Sequence, residues 1–265
     1  EQSIGRLFLA GILPGLLLLG LFIGAISLVC WRNPALGPAG PRAGMSQRAR
    51  AVLGAVPVVG IVLLTIGGIY TGLFSPVEAS AVGAGAVILY GAITRSLSLV
   101  VLWNAAVDAA ATTATVLLIL IAAHMISPFM ALSHIPDVIG SFVLGFGLPL
   151  IGVLLLMLLV YLVLGCFLEG FAMMVLTLPI FFPIVLELGI DPIWFGVLVV
   201  LTLEMGLISP PVGLNVFIVK SVAPQVPIGQ IFSGVLPFWL AMIVCLIILV
   251  AFPQISLILP NTMFG

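Results

Sequence analysis

Between Val138 and Leu186 the chain carries one charged side chain, Glu169. A helix that spans a bilayer needs about 20 consecutive apolar residues, and this run is far longer than one span. It must enter a membrane and turn at least once inside or beside it. The rest of the chain agrees. Charged residues make up 6% of the sequence and hydrophobic residues 63%, where a soluble domain carries about 25% charge. The ten-residue alternation of an outer-membrane barrel is absent. The expected class is an all-α polytopic membrane protein. A net charge of −1 offers nothing to nucleic acid. Cys30, Cys166 and Cys245 are too far apart in apolar runs to suggest a metal or disulfide spacing.

Six to eight membrane segments are expected. The first covers 7–29 and leads into a Gly- and Pro-rich loop, 31–50. That loop holds Arg32, Arg42, Arg48 and Arg50, four of the seven basic residues, and no acid. Basic residues in short loops mark the cytoplasmic side, so this loop is placed inside and Glu1 outside. A span over 51–74 runs outward to Ser75-Pro-Val-Glu78, where Pro76 and Glu78 suit the first turn of a helix. The third span, 79–94, returns to Arg95. A fourth, 103–132, contains His124 and Pro128 and ends at the polar punctuation Ser133-His-Ile-Pro-Asp137. The long apolar run then turns at Gly165-Cys-Phe-Leu-Glu-Gly170. Asp191-Pro192 reads as a helix cap with proline at the first position. A last span is expected over 235–258, after a polar link with Pro224 and Pro227.

The helix that begins at Pro192 runs into Ser209-Pro210-Pro211-Val212-Gly213. Proline lacks an N–H and clashes with the preceding turn, so Pro210 and Pro211 deprive the carbonyls of Gly206 and Leu207 of their donors. Each proline costs about 3 kcal/mol in a helix interior. The helix is therefore expected to break. In hydrocarbon a break survives only where protein or a water-filled cavity receives the freed groups. Its first half ends in free carbonyls, which suit a cation such as Na⁺. Its second half starts with free N–H groups near Gly213, Leu214 and Asn215, which suit a carboxylate. The residues alone leave a proline kink or a surface loop open.

Glu169 is a second candidate, since a carboxylate at membrane depth is costly and commonly functional. It lies near the midplane if 165–170 is the tip of a re-entrant hairpin, and at a solvated turn if both flanks are full spans. Glu204 faces either a cavity or another subunit. Lys220 is expected to extend to an interface. Asp108 with Thr112, Thr113 and Thr115 makes a polar stripe suited to helix contact. Lys220-Ser221 follows Val219 rather than the glycine of a phosphate loop, and no catalytic signature occurs. The chain is not expected to be an enzyme.

Several stretches together resemble the large membrane (M) subunit of TRAP transporters, the tripartite ATP-independent periplasmic carriers, in its C-terminal half. They are Gly68-Ile-Tyr-Thr-Gly-Leu-Phe-Ser-Pro-Val-Glu-Ala-Ser-Ala-Val-Gly83, Gly189-Ile-Asp-Pro-Ile-Trp-Phe-Gly-Val197, Gly206-Leu-Ile-Ser-Pro-Pro-Val-Gly-Leu-Asn215 and Phe252-Pro-Gln-Ile-Ser-Leu257. The resemblance implies half of an elevator-type transporter of the ion-transporter superfamily, with one re-entrant hairpin and one interrupted helix. It divides the chain into scaffold helices over 1–147, a transport region over 148–223 and a link with a final helix over 224–265. The hairpin would cover 148–188 and the interrupted helix 191–223.

Carried over residue by residue, Gly165, Glu169 and Gly170 form the hairpin tip. Gly206, Ser209, Pro210, Val212, Gly213 and Asn215 form the break, with Na⁺ held by backbone carbonyls near Gly206, Ser209 and Pro210. The implied function is Na⁺-coupled import of an organic acid across the bacterial inner membrane, with Na⁺ as the coupling ion and no other cofactor. C4-dicarboxylates, sialic acid and keto acids all fall within the substrate class. A periplasmic binding protein would deliver the acid, and a small membrane (Q-type) subunit would support the carrier. Two departures stand out. The tip reads Leu-Glu-Gly where many relatives have an acid followed by Pro or Ser. The first inverted repeat is also missing: residues 1–18 look like the mid-subunit junction and the chain opens on Glu1, so an N-terminal repeat of the same subunit is expected as a partner. The competing reading is the permease subunit of an ATP-driven importer, which would need an inside loop to dock a nucleotidase.

Overall fold

The computed structural model describes residues 4–37, 40, 44–145 and 147–264. Glu1 and Arg42, both used above to orient the chain, lie outside the described residues, as do the side chains of Pro136 and Asp137. Among the described residues there are α-helices, one short 3₁₀ turn and no strand. The helices are α1 (Ile4–Arg32), α2 (Met45–Tyr70), α3 (Pro76–Ile93), α4 (Leu99–Leu132), α5 (Ile135–Gly145) and α6 (Leu150–Gly165). They continue with α7 (Gly170–Glu187), α8 (Pro192–Leu207), α9 (Leu214–Val222), α10 (Ile228–Ala251) and α11 (Gln254–Phe264). Six of them, α1 to α4, α7 and α10, are long and apolar enough to cross a membrane.

Local sequence accounts for the ends. The corner between α2 and α3 turns at Gly72, whose φ of 73° suits glycine. Ser75 then caps α3: its hydroxyl accepts from the Glu78 N–H at 3.3 Å, while Glu78 Oε2 accepts from the Ser75 N–H at 2.8 Å. This reciprocal pair satisfies two orphan donors. Asp191 caps α8 in the same spirit, accepting from the N–H groups of Ile193 and Trp194 at 2.8 and 3.1 Å. Pro192 takes the first helical position, where its missing N–H costs nothing.

Helix α8 sits at the centre and packs against α1, α6, α7, α10 and α11. Its core partners include Tyr161 of α6 and Phe181 of α7, with Tyr161 edge-on to Phe195 at 6.3 Å and tilted against Phe181 at 5.3 Å. Such offset and edge contacts suit the ring quadrupoles. The Tyr161 hydroxyl is hydrogen-bonded to Thr177 Oγ1 at 2.9 Å, so the polar atoms inside this apolar joint are paired. Helix α10 is fastened along α8 by the Trp194 indole, which donates to the Leu249 carbonyl at 2.9 Å. By contrast α2 and α3 pair mainly with each other, and α4 leans on α7 and α5.

Several boundaries differ from the sequence reading. Helix α2 begins at Met45, so Arg48 and Arg50 lie on a helix and the loop before it is shorter than 31–50. The long apolar run turns twice: α5 ends at Gly145, and Gly147 (φ 62°) precedes α6. The final span starts at Ile228, inside the supposed polar link, and ends at Ala251. Its polar residues do not break the helix because Ser233 donates back to the carbonyls of Gly229 and Gln230. Pro253 then separates α10 from α11, so 235–258 is two helices. Lys220 folds onto the link and donates to the carbonyls of Pro224 and Val226 at 2.6 and 2.8 Å.

Candidate functional site: a turn against a broken helix

The chain turns between α6 and α7 at 166–169, and the α8–α9 helix is interrupted from 208 to 213. These two irregular stretches meet. A Cβ built on Gly206 would lie 2.7 Å from both the Cα and the carbonyl carbon of Gly165, and one built on Gly165 would lie 3.2 Å from the Gly206 Cα. Only glycine on both sides allows main chain to touch main chain here. Beside this seam the Cys166 thiol donates to the Pro210 carbonyl at 3.5 Å. Helices α6 and α8 are each 16 residues long, about 24 Å at 1.5 Å per residue. That is short of the roughly 30 Å hydrocarbon core.

At the end of α8 the last turn tightens: Ile208 N–H donates to the Met205 carbonyl at 3.3 Å and Ser209 N–H to Gly206 at 3.0 Å. The Gly206 carbonyl, expected to be free, therefore has a donor. Those of Leu207, Ile208 and Ser209 receive none among the described residues. The Gly165 carbonyl, ending α6, is likewise without a donor there. Each helix C-terminus carries about half a negative charge, and two of them converge at the glycine seam. The chain crosses the interruption through a cis Pro210–Pro211 peptide and reaches Gly213, whose φ is 62°.

Beyond Gly213, α9 starts with free donors. The N–H groups of Leu214 and Asn215 have no acceptor among the described residues, while Val216 N–H returns to Gly213 at 2.8 Å. Asn215 is half-buried and its amide makes no hydrogen bond among the described residues. The N-terminus of α7 is different. Glu169, exposed, accepts from Phe171 N–H and Ala172 N–H at 3.0 Å each, so its carboxylate closes that terminus. Gly170, which opens α7, has open space at its missing side chain.

Of the residues singled out in the sequence, the structure brings Gly165 to Gly206 and, through Cys166, the tip to Pro210. Ser209 lies against Gly213, whose built Cβ would stand 3.0 Å from the Ser209 carbonyl. Val212 is half-buried within the interruption. Among the described residues neither Glu169 nor Asn215 hydrogen-bonds across the seam. Glu204 lies away from it, lining an apolar groove of about 380 Å³ with Leu7, Gly11, Gly15 and Leu18 of α1. Asp108 is exposed on α4, and Thr112 and Thr115 bond back onto their own helix. His124 does the same through Leu120. The sequence reading missed Trp239, whose indole N–H donates to Ser209 Oγ at 2.7 Å. The available signal was general: a tryptophan in a membrane helix needs a partner for its N–H.

Over residues 1–255 the sequence matches the family described as Tripartite ATP-independent periplasmic transporter, DctM component. The chain belongs to that family. Among its DctM relatives is the C4-dicarboxylate TRAP transporter large permease protein of Pseudomonas aeruginosa, 36% identical over 98% of this chain and 61% of the relative. The sialic acid TRAP transporter large permease protein of Vibrio cholerae is 30% identical over all of this chain and 62% of its own length. The ectoine/5-hydroxyectoine large permease protein of Ruegeria pomeroyi is 32% identical, with 100% and 61% covered. The chain thus spans about three fifths of the length of these curated relatives. These three DctM relatives are named as transporter permeases and not as enzymes. With six apolar helices of spanning length, this DctM chain is a multi-pass protein of the bacterial inner membrane.

Proposed function

We propose that this chain is part of the large permease of a Na⁺-driven, elevator-type importer of an organic acid. A periplasmic binding protein would deliver the acid, and a small membrane subunit would support the permease. The observation that carries the reading is the Gly165–Gly206 seam, where two carbonyl-ended helices converge. Free carbonyls and two negative helix ends favour a small cation. The open N–H groups at Leu214 and Asn215, with the Asn215 amide, favour a carboxylate. Glu169 occupies the N-terminus of α7, so the acid is directed to α9 rather than to α7. Na⁺ is assigned to the carbonyls of Gly165, Leu207, Ile208 and Ser209, a shift from the set near Gly206, Ser209 and Pro210 suggested by sequence.

The relatives are named for chemically different substrates, which supports placing selectivity in the binding protein. The test is uptake in proteoliposomes by the assembled transporter, with C4-dicarboxylates, sialic acid and ectoine as labelled probes. Uptake of one probe should require both a Na⁺ gradient and the binding protein. Uptake that proceeds with neither, or that needs ATP, overturns the proposal and favours the ATP-driven importer.

A further inference from the structure

An interrupted helix has lost the ladder that would set its own geometry, so a neighbour has to supply it. Helix α10 is continuous over 24 residues and touches the interruption on both sides. Trp239 donates its indole N–H to Ser209 Oγ at 2.7 Å. Phe232 lies 3.3 Å from the place a Gly213 Cβ would take. Residues 232 and 239 are two turns apart on one face, about 10.5 Å along the axis. The Trp194–Leu249 bond fixes the far end of the same helix to the start of α8.

Ser209 is 4% exposed, and its hydroxyl is committed twice. It donates to the Met205 carbonyl at 2.6 Å and accepts from Trp239. A hydroxyl has one proton and two lone pairs, so this one has no proton left for an anion, and Trp239 holds one of the two lone pairs that could face a cation. The Ser209 main-chain carbonyl has no donor among the described residues and is free to face an ion. The direction of that carbonyl depends on the side chain that anchors the residue.

We propose that α10 is the splint of the interruption and that Trp239 is a positioning residue, aiming the Ser209 carbonyl by holding the Ser209 hydroxyl. This deepens the Na⁺-site reading above and rests on it. A positioning residue alters how readily the ion binds more than how fast the loaded carrier turns over. Losing one buried hydrogen bond that preorganises the site corresponds to about a fivefold change in an equilibrium.

The experiment measures Na⁺-dependent uptake by the assembled transporter for wild type, W239F, S209A and the double variant. Trp239→Phe keeps the ring and removes the donor; Ser209→Ala keeps the volume and removes the acceptor. Each single variant should raise the Na⁺ concentration for half-maximal uptake about fivefold, and W239F should keep the maximal rate within about twofold. The double variant should match the singles, because both remove the same bridge. Na⁺ added to the detergent-solubilised transporter should also change tryptophan emission in wild type and not in W239F. A wild-type Na⁺ response in W239F, or effects that multiply in the double variant, overturns the splint and leaves the Na⁺ reading standing. Should W239F fail to reach the membrane, S209A alone decides, and an unchanged Na⁺ response in it overturns the proposal. Wild-type uptake indifferent to Na⁺ removes both.

Discussion

Helices α4 and α8 are both apolar, each carries one carboxylate, and each meets proline. Their fates differ. Eleven of the 16 residues of α8 are buried, and none of the described residues of α4 is. Pro128 sits inside α4 without ending it, whereas α8 stops two residues before Ser209-Pro210-Pro211. The carboxylates differ less: Asp108 and Glu204 are both exposed and have no ion-pair partner among the described residues. In a bilayer, lipid tails satisfy an apolar face as well as protein does. Close packing therefore marks where geometry must be held rather than where apolar surface must be hidden. The central helices α6, α8 and α10 hold an irregular stretch in place. The peripheral helices have no such stretch to hold.

That contrast can be broken by experiment. The largest effect is expected at Gly206. Its replacement by alanine drives a Cβ into the Gly165 backbone, an overpacking worth about 1–3 kcal/mol, and uptake should fall by at least about tenfold. The counterpart on the periphery is Gly85 of α3, with open space at its missing side chain. There alanine should leave uptake unchanged and favour the helix by about 0.5–1 kcal/mol. Equal losses at the two glycines would erase the distinction between centre and edge.

Next in size is the Pro210→Ala, Pro211→Ala pair. It removes two obstacles of about 3 kcal/mol each to a continuous helix. Membrane insertion should persist while coupled uptake drops severalfold; full transport would mean that the interruption is idle. Smaller still is Glu169→Ala, which uncaps α7 and should cost about 1 kcal/mol, read as a lower unfolding temperature in detergent. Asp108→Asn should change stability by no more than about 0.5 kcal/mol and leave uptake intact. A transport defect there would bring α4 into the working part of the molecule.

The positions of the turn at 165–170 and the break after Leu207 were legible in the sequence, because proline and glycine act on the backbone locally. The first turn at Pro76 and Glu78 and the Asp191 cap were legible because they too act locally, whereas the Ser75 half of the Ser75–Glu78 pair came from the structure. Contacts between segments were not. Nothing in the spacing of Gly165 and Gly206 says that they touch, and nothing near Trp239 points to Ser209. Boundaries failed where polarity was mistaken for a break. Gln230 and Ser233 read as a link, yet Ser233 satisfies its hydroxyl against its own helix. The seven prolines at 14, 57, 128, 179, 183, 237 and 260 stay inside helices. A single missing donor is tolerated where Ser-Pro-Pro followed by a left-handed glycine is not.

The shortness of α6 and α8 has a bearing on how far anything must travel. Where Asp191 keeps the start of α8 level with the lipid headgroups, the far end of that rod stops about 6 Å below the opposite headgroup plane. A charge lodged there sees most of the dielectric barrier already bridged by protein, with little more than one helical pitch of oil left to cross.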